Sequence, residues 1–501
     1  MPVTPTYPGV YIEELPSGVH TITGVATSIA AFVGWAPQGP TDSATLILSW
    51  SDYQRQFGGL DSRSVLGYSV NQFFLNGGQQ AYVVRLVDSG TAKTAQVTIG
   101  AAPKQIIINA LNAGDWANSY QISIKNSTAS PGRFQLQVTY APAGATPAVV
   151  ESFNNLSISK SDPQGRYVVD VLANNSNFVT ATVPGTTTTA PDDTAAPDPL
   201  INGAPGNVLS PNNGDFETAL AATGGTTGVN LLATVDIFNL LCVPGETNTT
   251  VLGELDTFCK DNQAFLIAES PDITNFTTLI PGPGFHGDNS ALYFPWLQAP
   301  DPLAGNVTRD YPPCGFVAGV YASTDVNRGV WKAPAGTETA LVGVSGVTTP
   351  LTDKQNGQLN PVAVNCIRSF SAYGTVVWGA RTTNGNDEAG SQWKYVPIRR
   401  LALFLETSLY RGTQWAVFEP NDAPLWAQIR LNVGAFMQTL FIQGAFQGTT
   451  PQQAYFVKCD SETTTSTDQD NGIVNILVGF APLKPAEFVI IQIQQIAGQT
   501  S

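Results

Sequence analysis

Four apolar runs restrict the folds open to this chain more than any other feature. TSIAAFVGWA (27–36), AYVVRLV (81–87), VDIFNLLCVPG (235–245) and AFLIAES (264–270) are almost unbroken in apolar residues. Such runs suit strands of a parallel sheet covered on both faces. Parallel strands need crossovers, and VLGELDTFCKDN (251–262) is a helix-like connection between the last two runs. VLGYSVNQFFLNGG (65–78) is another, closed by Gly77-Gly78 as a C-terminal stop. With ATLILS as a further strand, residues 25–86 read as α/β.

The pattern breaks after residue 87. QVTIG, QIIINAL, YQISIKN, FQLQVTY and RYVVDVL are short strand-like runs between Gly, Pro, Asn and Asp turns, which predicts an all-β insert over 88–230 with no helix of note. PGTTTTAPDDTAAPDP (184–199) within it has the composition of a flexible exposed loop. The α/β pattern then resumes, and a section read as loop-rich, with LYFPWLQAP and GFVAGVYA, leads to residue 350.

The last third carries the clearest helices. Val396, Ile398, Leu401, Leu405 and Leu409 recur at helical spacing, as do Trp426, Ile429, Val433, Phe436, Met437 and Leu440. Asp422 suits an N-cap and Pro424 a first turn. Then come a strand, AYFVKCD, a loop, SETTTSTDQDNG, and two strand-like runs, Ile473 to Phe480 and Phe488 to Ile496. The second of these places Val489, Ile491 and Ile493 on one face and Gln492 and Gln494 on the other. At the other end Tyr7 opens an extended Pro-rich segment in which Val10 and Ile12 alternate with Tyr11 and Glu13.

The expected fold is therefore a multidomain α+β or α/β protein: an α/β core, an all-β outer insert, and extended N- and C-terminal strand arms. The boundaries are an arm over 1–20, an α/β middle domain over 21–87 and 231–350, the insert over 88–230, a helix-bearing C-terminal domain over 351–480, and an arm over 481–501.

Charge bears on what covers the surface. Only 12% of residues are charged, about half the ~25% of ordinary soluble domains, as suits a surface largely covered by other subunits. The net charge is −15, yet residues 350–501 hold 10 basic and 11 acidic groups. No basic patch with interleaved aromatics occurs, so direct nucleic-acid binding is not expected. Five isolated cysteines point to buried thiols in a reducing compartment. No apolar run is long enough to span a membrane. MPVTPTYPGVYIEELPSG has neither a basic nor an apolar leader segment, so synthesis and folding in a cytoplasm are expected.

Chemistry is sparse. His20 and His286 are the only histidines. His286, with Asp288 near and Cys314 further on, could be imagined as a Cys-His or metal site, but a loop histidine is the better reading. GGTTG (224–228) lacks the ending of a phosphate loop, and DQDNG (468–472) the glycine position and glutamate of a calcium loop, so a plain turn and a hairpin turn are expected there. Glu13-Glu14 and Asp192-Asp193 read as solvated pairs. No enzyme activity, catalytic residue, metal or cofactor is expected.

Several phrases in order resemble one family, the sheath proteins of contractile phage tails and bacterial contractile injection systems. They are YPGVYIEELPSG, GVATSIAAFVGWAPQGP, NGGQQAYVVRL, SALYFPW, GVWKAP, VVWGART, YVPIRRLALFLETSL, VFEPNDAPLW and APLKPAEFVIIQI, and they span residues 7 to 496 outside the β insert. The resemblance implies a structural subunit in stacked hexameric rings around an inner tube, contracting to drive that tube through a target envelope. It also implies an outward-facing insert, a C-terminal core sheath domain, and arms that pair with neighbouring copies. Tyr7, Val10, Ile12, Phe488, Val489, Ile491 and Ile493 would form those pairings, with a hinge near Pro16-Ser17-Gly18. Ile473 to Phe480 would stay with its own subunit.

Implied partners are further copies of the chain, an inner tube protein, and baseplate and terminator or cap proteins. Assembly would occur in a bacterial cytoplasm, the product being part of a phage tail or injection particle. Lys394, Arg399, Arg400 and Arg411 are candidates for facing the tube, or else for satisfying carboxylates of their own chain. The rival readings are a static shell or surface-layer protein and a β-rich carbohydrate-binding protein.

Overall fold

The computed structural model describes residues 20–221 and 223–492. The chain divides into two compact units, Ser28–Thr324 with Pro334–Lys394, and Met1–Thr27 with Asp325–Ala333 and Tyr395–Ser501.

All four apolar runs become strands of one sheet in the larger unit. Its members are β1 (Ala30–Trp35), β2 (Thr45–Ile47), β3 (Ala81–Leu86), β4 (Leu240–Cys242), β5 (Phe265–Glu269), β6 (Ser290–Phe294), β7 (Val364–Phe370) and β8 (Gly374–Val377). Their order is β8-β7-β6-β5-β4-β1-β3-β2. The strands from β7 to β3 run parallel, and β8 and β2 close the two edges antiparallel. Ala30 pairs with both Ala81 and Leu240, so β1 joins the segments on either side of the strand-rich section. Every residue of β1, β5 and β6 is buried, which their unbroken apolar character requires.

Helices Leu66–Leu75 and Thr249–Asp261 lie where the pattern placed them, the second capped by the Asn248 side chain accepting from Thr250 N at 3.0 Å. Among the helices not expected from the pattern, two show why. Trp50–Phe57 is started by Ser49 and stopped by Gly58 in the left-handed region. GFVAGVYA, read as loop, opens the helix Cys314–Arg328. Its glycines are a packing device rather than breakers. A Cβ on Gly315 would come within 2.3 Å of Ser69 O, and one on Gly319 within 2.5 Å of the Asn76 Cβ. Glycines four apart let this helix lie against Leu66–Leu75, an effect invisible to propensity.

Residues 96–199 form two small sheets around one core. Gln96–Ile99, Ile106–Ala110 and Val179–Thr182 make the first, and Asp198–Pro199, Tyr120–Asn126, Phe134–Tyr140 and Ala148–Leu156 the second. Ile106, Ile108, Ile122, Ile124, Phe134, Leu136 and Val138 fill the space between. RYVVDVL is not a strand: Val168–Asn175 is a helix burying Val168, Val171 and Leu172, a three-then-one spacing that matches one helix face. A second helix, Gly214–Leu220, also contradicts the helix-free expectation. The Thr-rich loop is tethered, with Thr188 N bonded to Pro103 O at 2.9 Å, Lys104 paired with Asp192 at 2.6 Å, and Asn126 N bonded to Asp193.

Arg85 at the end of β3 fastens this section to the sheet. It is buried and donates to Ala36 O, Pro37 O, Gly39 O and Ala113 O at 2.7–3.0 Å. Burial pulls its pKa down to about 10, and four carbonyls substitute for the water it loses.

The smaller unit is built on the two helices expected from periodicity, Val396–Gly412 and Ala423–Ile442. Asp422 caps the second, accepting from Leu425 N at 3.2 Å, with Pro424 in the first turn. Leu401, Leu405, Trp426, Ile429, Val433, Phe436, Met437 and Leu440 form its core. A hairpin, β9 (Tyr455–Lys458) and β10 (Leu477–Phe480), pairs antiparallel with Tyr455 opposite Phe480. DQDNG is not its turn; Ser466–Asp470 is a short helix with a reciprocal cap between Thr465 and Asp468.

Candidate assembly interface

The segment 20–27 is laid antiparallel along the Val396–Gly412 helix. His20 stacks on Trp415 with ring centroids 4.1 Å apart, Ile22 lies against Gly412, Gly24 against Phe404, and Val25 N donates to Ser408 Oγ at 3.2 Å. Any side chain at Gly412 would meet Ile22 Cγ2 at 2.6 Å, so glycine there permits the approach. The segment ends on a buried ion pair. Arg400 donates to Asp325 Oδ1 and Oδ2 at 2.9 and 2.6 Å and to Thr27 O at 2.8 Å, while Thr27 Oγ1 donates to Asp325 Oδ2 at 2.6 Å. Both charged side chains are 3% exposed.

At the other end of the same helix, Tyr395 Oη donates to Glu487 Oε2 at 3.2 Å. Beyond it Phe488, Val489, Ile490 and Ile491 are 74–84% exposed and are not part of a strand. Tyr7, Val10, Ile12, Pro16-Ser17-Gly18 and Ile493 lie outside the described residues. The run from Ile473 contributes β10 to the hairpin of its own chain.

The four cations are placed as follows. Lys394, half-buried, pairs with Asp387 at 2.6 Å; Arg399, buried, with Glu406 at 3.1 Å; Arg400 with Asp325; and Arg411 sits half-buried in the last helical turn. Sequence reading did not single out Phe418. It is fully exposed with φ 70°, at the tip of a turn whose far side is held by Asn421 bonded to Trp426 and Ile473. No periodic signal marks such a residue, because neither its exposure nor its backbone is local information.

His286 and Cys314 have separate partners. His286 Nδ1 lies 3.2 Å from Thr383 O. Cys314 N instead donates to Glu269 Oε2 at 3.2 Å. All five cysteines are buried free thiols. Among the described residues no group of three or more His, Cys, Asp or Glu could hold a metal, and no helix is long and apolar enough to cross a membrane.

Glu269 is buried at the end of β5, also accepting from Gly245 N, with Glu246 nearby. Burial pushes its pKa from 4.5 up to about 8. The folded chain thus retains a proton that the unfolded chain releases, so stability falls as pH rises from about 4.5 to about 8 and levels off above. The expected loss is on the order of 5 kcal/mol. Glu269→Gln should flatten that slope in denaturant unfolding between these limits; an unchanged slope would assign it to other groups.

Comparison with known proteins accords with this architecture. The model of the phage tail sheath protein central domain matches residues 213–383, and that of the phage tail sheath C-terminal domain matches residues 388–496. A putative prophage major tail sheath protein of Pseudomonas aeruginosa (strain UCBPP-PA14) is 25% identical over 281 residues, 54% of this chain and 69% of that protein. The tail sheath protein of Enterobacteria phage T4 is 24% identical over 186 residues, 37% of this chain but only 26% of that protein. Among solved structures, the sheath complex of the extracellular contractile injection system PVC in its contracted state aligns over 98% of both chains, with TM-score 0.61 and 26% identity. The anti-feeding prophage helical sheath in the contracted state aligns over 98% of this chain and 100% of that one, with TM-score 0.60 and 24% identity, a likeness of fold. Two consecutive sheath domains over 213–496, set on a mixed α/β fold of several sheets that follows a sheath subunit from end to end, place this chain in the family of contractile tail sheath proteins.

Proposed function

We propose that this contractile-sheath subunit polymerises as stacked hexameric rings around an inner tube, with arms over 1–20 and 481–501 adding strands to neighbouring copies. The observation that carries the reading is the run Phe488–Ile491, four large apolar side chains in succession facing solvent. Burying each would contribute about 1.5–3 kcal/mol. A five-residue strand pairing adds a few kcal/mol more, at ~0.5–1.5 kcal/mol per hydrogen bond. The β9–β10 hairpin is a fitting acceptor: a two-stranded ribbon is marginal alone, and its outer edges offer ladder groups. About half of the exposed large apolar side chains belong to the smaller unit, which holds about a quarter of the described residues.

On this reading the section over 88–230 faces outward and contraction relaxes a strained extended lattice into a compact one. Each subunit moves nearly as a rigid body, bending near Pro16-Ser17-Gly18. Arg399 and Arg400, both buried, serve carboxylates of their own chain; Lys394, although also paired with Asp387, and Arg411 are half-buried and so keep some surface for a contact with the tube. Baseplate and terminator proteins close the two ends; a chain in the structure of the anti-feeding prophage baseplate shares this fold. Assembly takes place in a bacterial cytoplasm, and the product is part of a phage tail or injection particle. A surface-layer array or a carbohydrate-binding protein is not favoured.

Negative-stain microscopy of the protein co-expressed with its inner tube protein should show long tubes, and charge reversal at Lys394 and Arg411 should reduce their number. Flat sheets or dispersed monomers would overturn the reading.

A further inference from the structure

We propose that Asp256 and Asp288 hold a hard divalent cation between the helix Thr249–Asp261 and the turn that leads into β6, with Ca2+ the better match. Asp256 lies on the inner face of that helix, 8% exposed, and its Oδ1 is shut off from solvent with no hydrogen-bond partner. A buried carboxylate oxygen left in this way is costly. Burial raises the Asp256 pKa, the neighbouring Asp288 charge adds to the rise, and the Ser290 hydroxyl and Asn289 amide offset it only in part. Lys260, one turn further along the helix, is exposed and acts on Asp256 less than Asp288 does. Two like charges therefore stand together, one of them sealed in, with no cation of the chain set between them among the described residues.

The backbone is shaped to the carboxylate. A Cβ on Gly287 would fall 2.1 Å from both Cγ and Oδ1 of Asp256, so the carboxylate lies flat against the turn and only glycine admits it. The turn is braced from its other side. Gly287 N donates to Thr383 Oγ1 at 2.9 Å, Thr383 Oγ1 to Gly287 O at 3.0 Å, and Asn384 Nδ2 to Asp288 Oδ1 at 2.9 Å. Asp288 thus has one oxygen fixed and the other unbonded among the described residues, and its half-buried side chain keeps one side of the site open to solvent. His286 adds no nitrogen ligand, since its Nδ1 lies against Thr383 O.

Two carboxylates without nitrogen or sulfur suit oxygen-seeking cations. Mg2+ gives up its water reluctantly and demands a regular octahedron, whereas Ca2+ accepts flexible shells, so the sealed Oδ1 favours Ca2+. The bound ion would tie the helix, the turn 286–288 and, through Asn384, the segment 382–385, three pieces remote in sequence. It would stabilise the larger unit as any ligand of the folded state does.

The full-length subunit, stripped with EDTA and dialysed, would be titrated with CaCl2 and separately with MgCl2 in a calorimeter, with thermal unfolding followed in parallel. One saturable Ca2+ site per chain is expected. The unfolding midpoint should rise on the order of 5 °C at a hundredfold excess over the dissociation constant. Asp256→Asn and Asp288→Asn should each weaken Ca2+ binding by about a hundredfold or more. Asp288 is half-buried, so its variant is expected to fold even if the other does not. No saturable site in the wild-type protein, the result expected if the two carboxylates share a proton instead, overturns the proposal, as does unchanged affinity in Asp288→Asn. Mg2+ bound more tightly than Ca2+ overturns the choice of ion.

Discussion

Chains ending at Glu487 are expected to fold normally and to form no sheaths. The cut removes Phe488–Ile491, whose side chains are almost fully exposed and so contribute little to the subunit's own stability. It spares the β9–β10 ladder, the bond from Gln447 N to Ala481 O and the Tyr395–Glu487 bond, so the core of the smaller unit retains its contacts. In a polymer the same residues would supply strand pairing and apolar burial at every link. Their loss removes several kcal/mol per contact, or several powers of ten in each association constant. Circular dichroism and unfolding midpoints should match the full chain while electron microscopy shows no tubes. Ordinary tubes from the shortened chain would refute strand donation by this arm.

The second large effect concerns Arg400 and Asp325. Arg400→Ala or Asp325→Asn should each destabilise the smaller unit by about 3–5 kcal/mol, because either leaves one charge buried without its partner. Replacing both with apolar residues of similar size, Arg400→Met with Asp325→Leu, should recover much of that loss, since the cost lies in the orphaned charge rather than in missing attraction. Denaturant unfolding of the three variants checks this. Single-variant losses below about 1 kcal/mol, the range of an exposed pair, would show that water reaches the site.

Several elements were legible in the sequence because they rest on local periodicity. The four apolar runs, the two long helices with Asp422 as cap, and the home strand within Ile473–Phe480 all appear where the spacing places them. The elements misread were those whose conformation depends on a neighbour. GFVAGVYA is rich in β-branched residues and glycine, yet is a helix because Gly315 and Gly319 meet Ser69 and Asn76. RYVVDVL has strand composition, yet its Val168, Val171 and Leu172 turn one helical face into the core of the strand-rich section. The Thr-rich loop looked unrestrained because its hydrogen-bond partners lie 60 to 90 residues away in sequence.

The candidate site divides in the same way. The terminal run Phe488–Ile496 announces itself in sequence, since four successive large apolar residues near a polar turn have a local signature. The cations do not: Lys394, Arg399, Arg400 and Arg411 are alike as letters, and only folding buries Arg400 beside Asp325, 75 residues distant, while leaving Arg411 half-buried. What the sequence by itself determined was the alternation of strands and helices and the family of ordered motifs, because both are written in short-range spacing. What only the tertiary structure decided was which charges are paired, what residues 20–27 and Glu487 lie against and which glycines are contacts, because each depends on residues that the chain brings together from far apart.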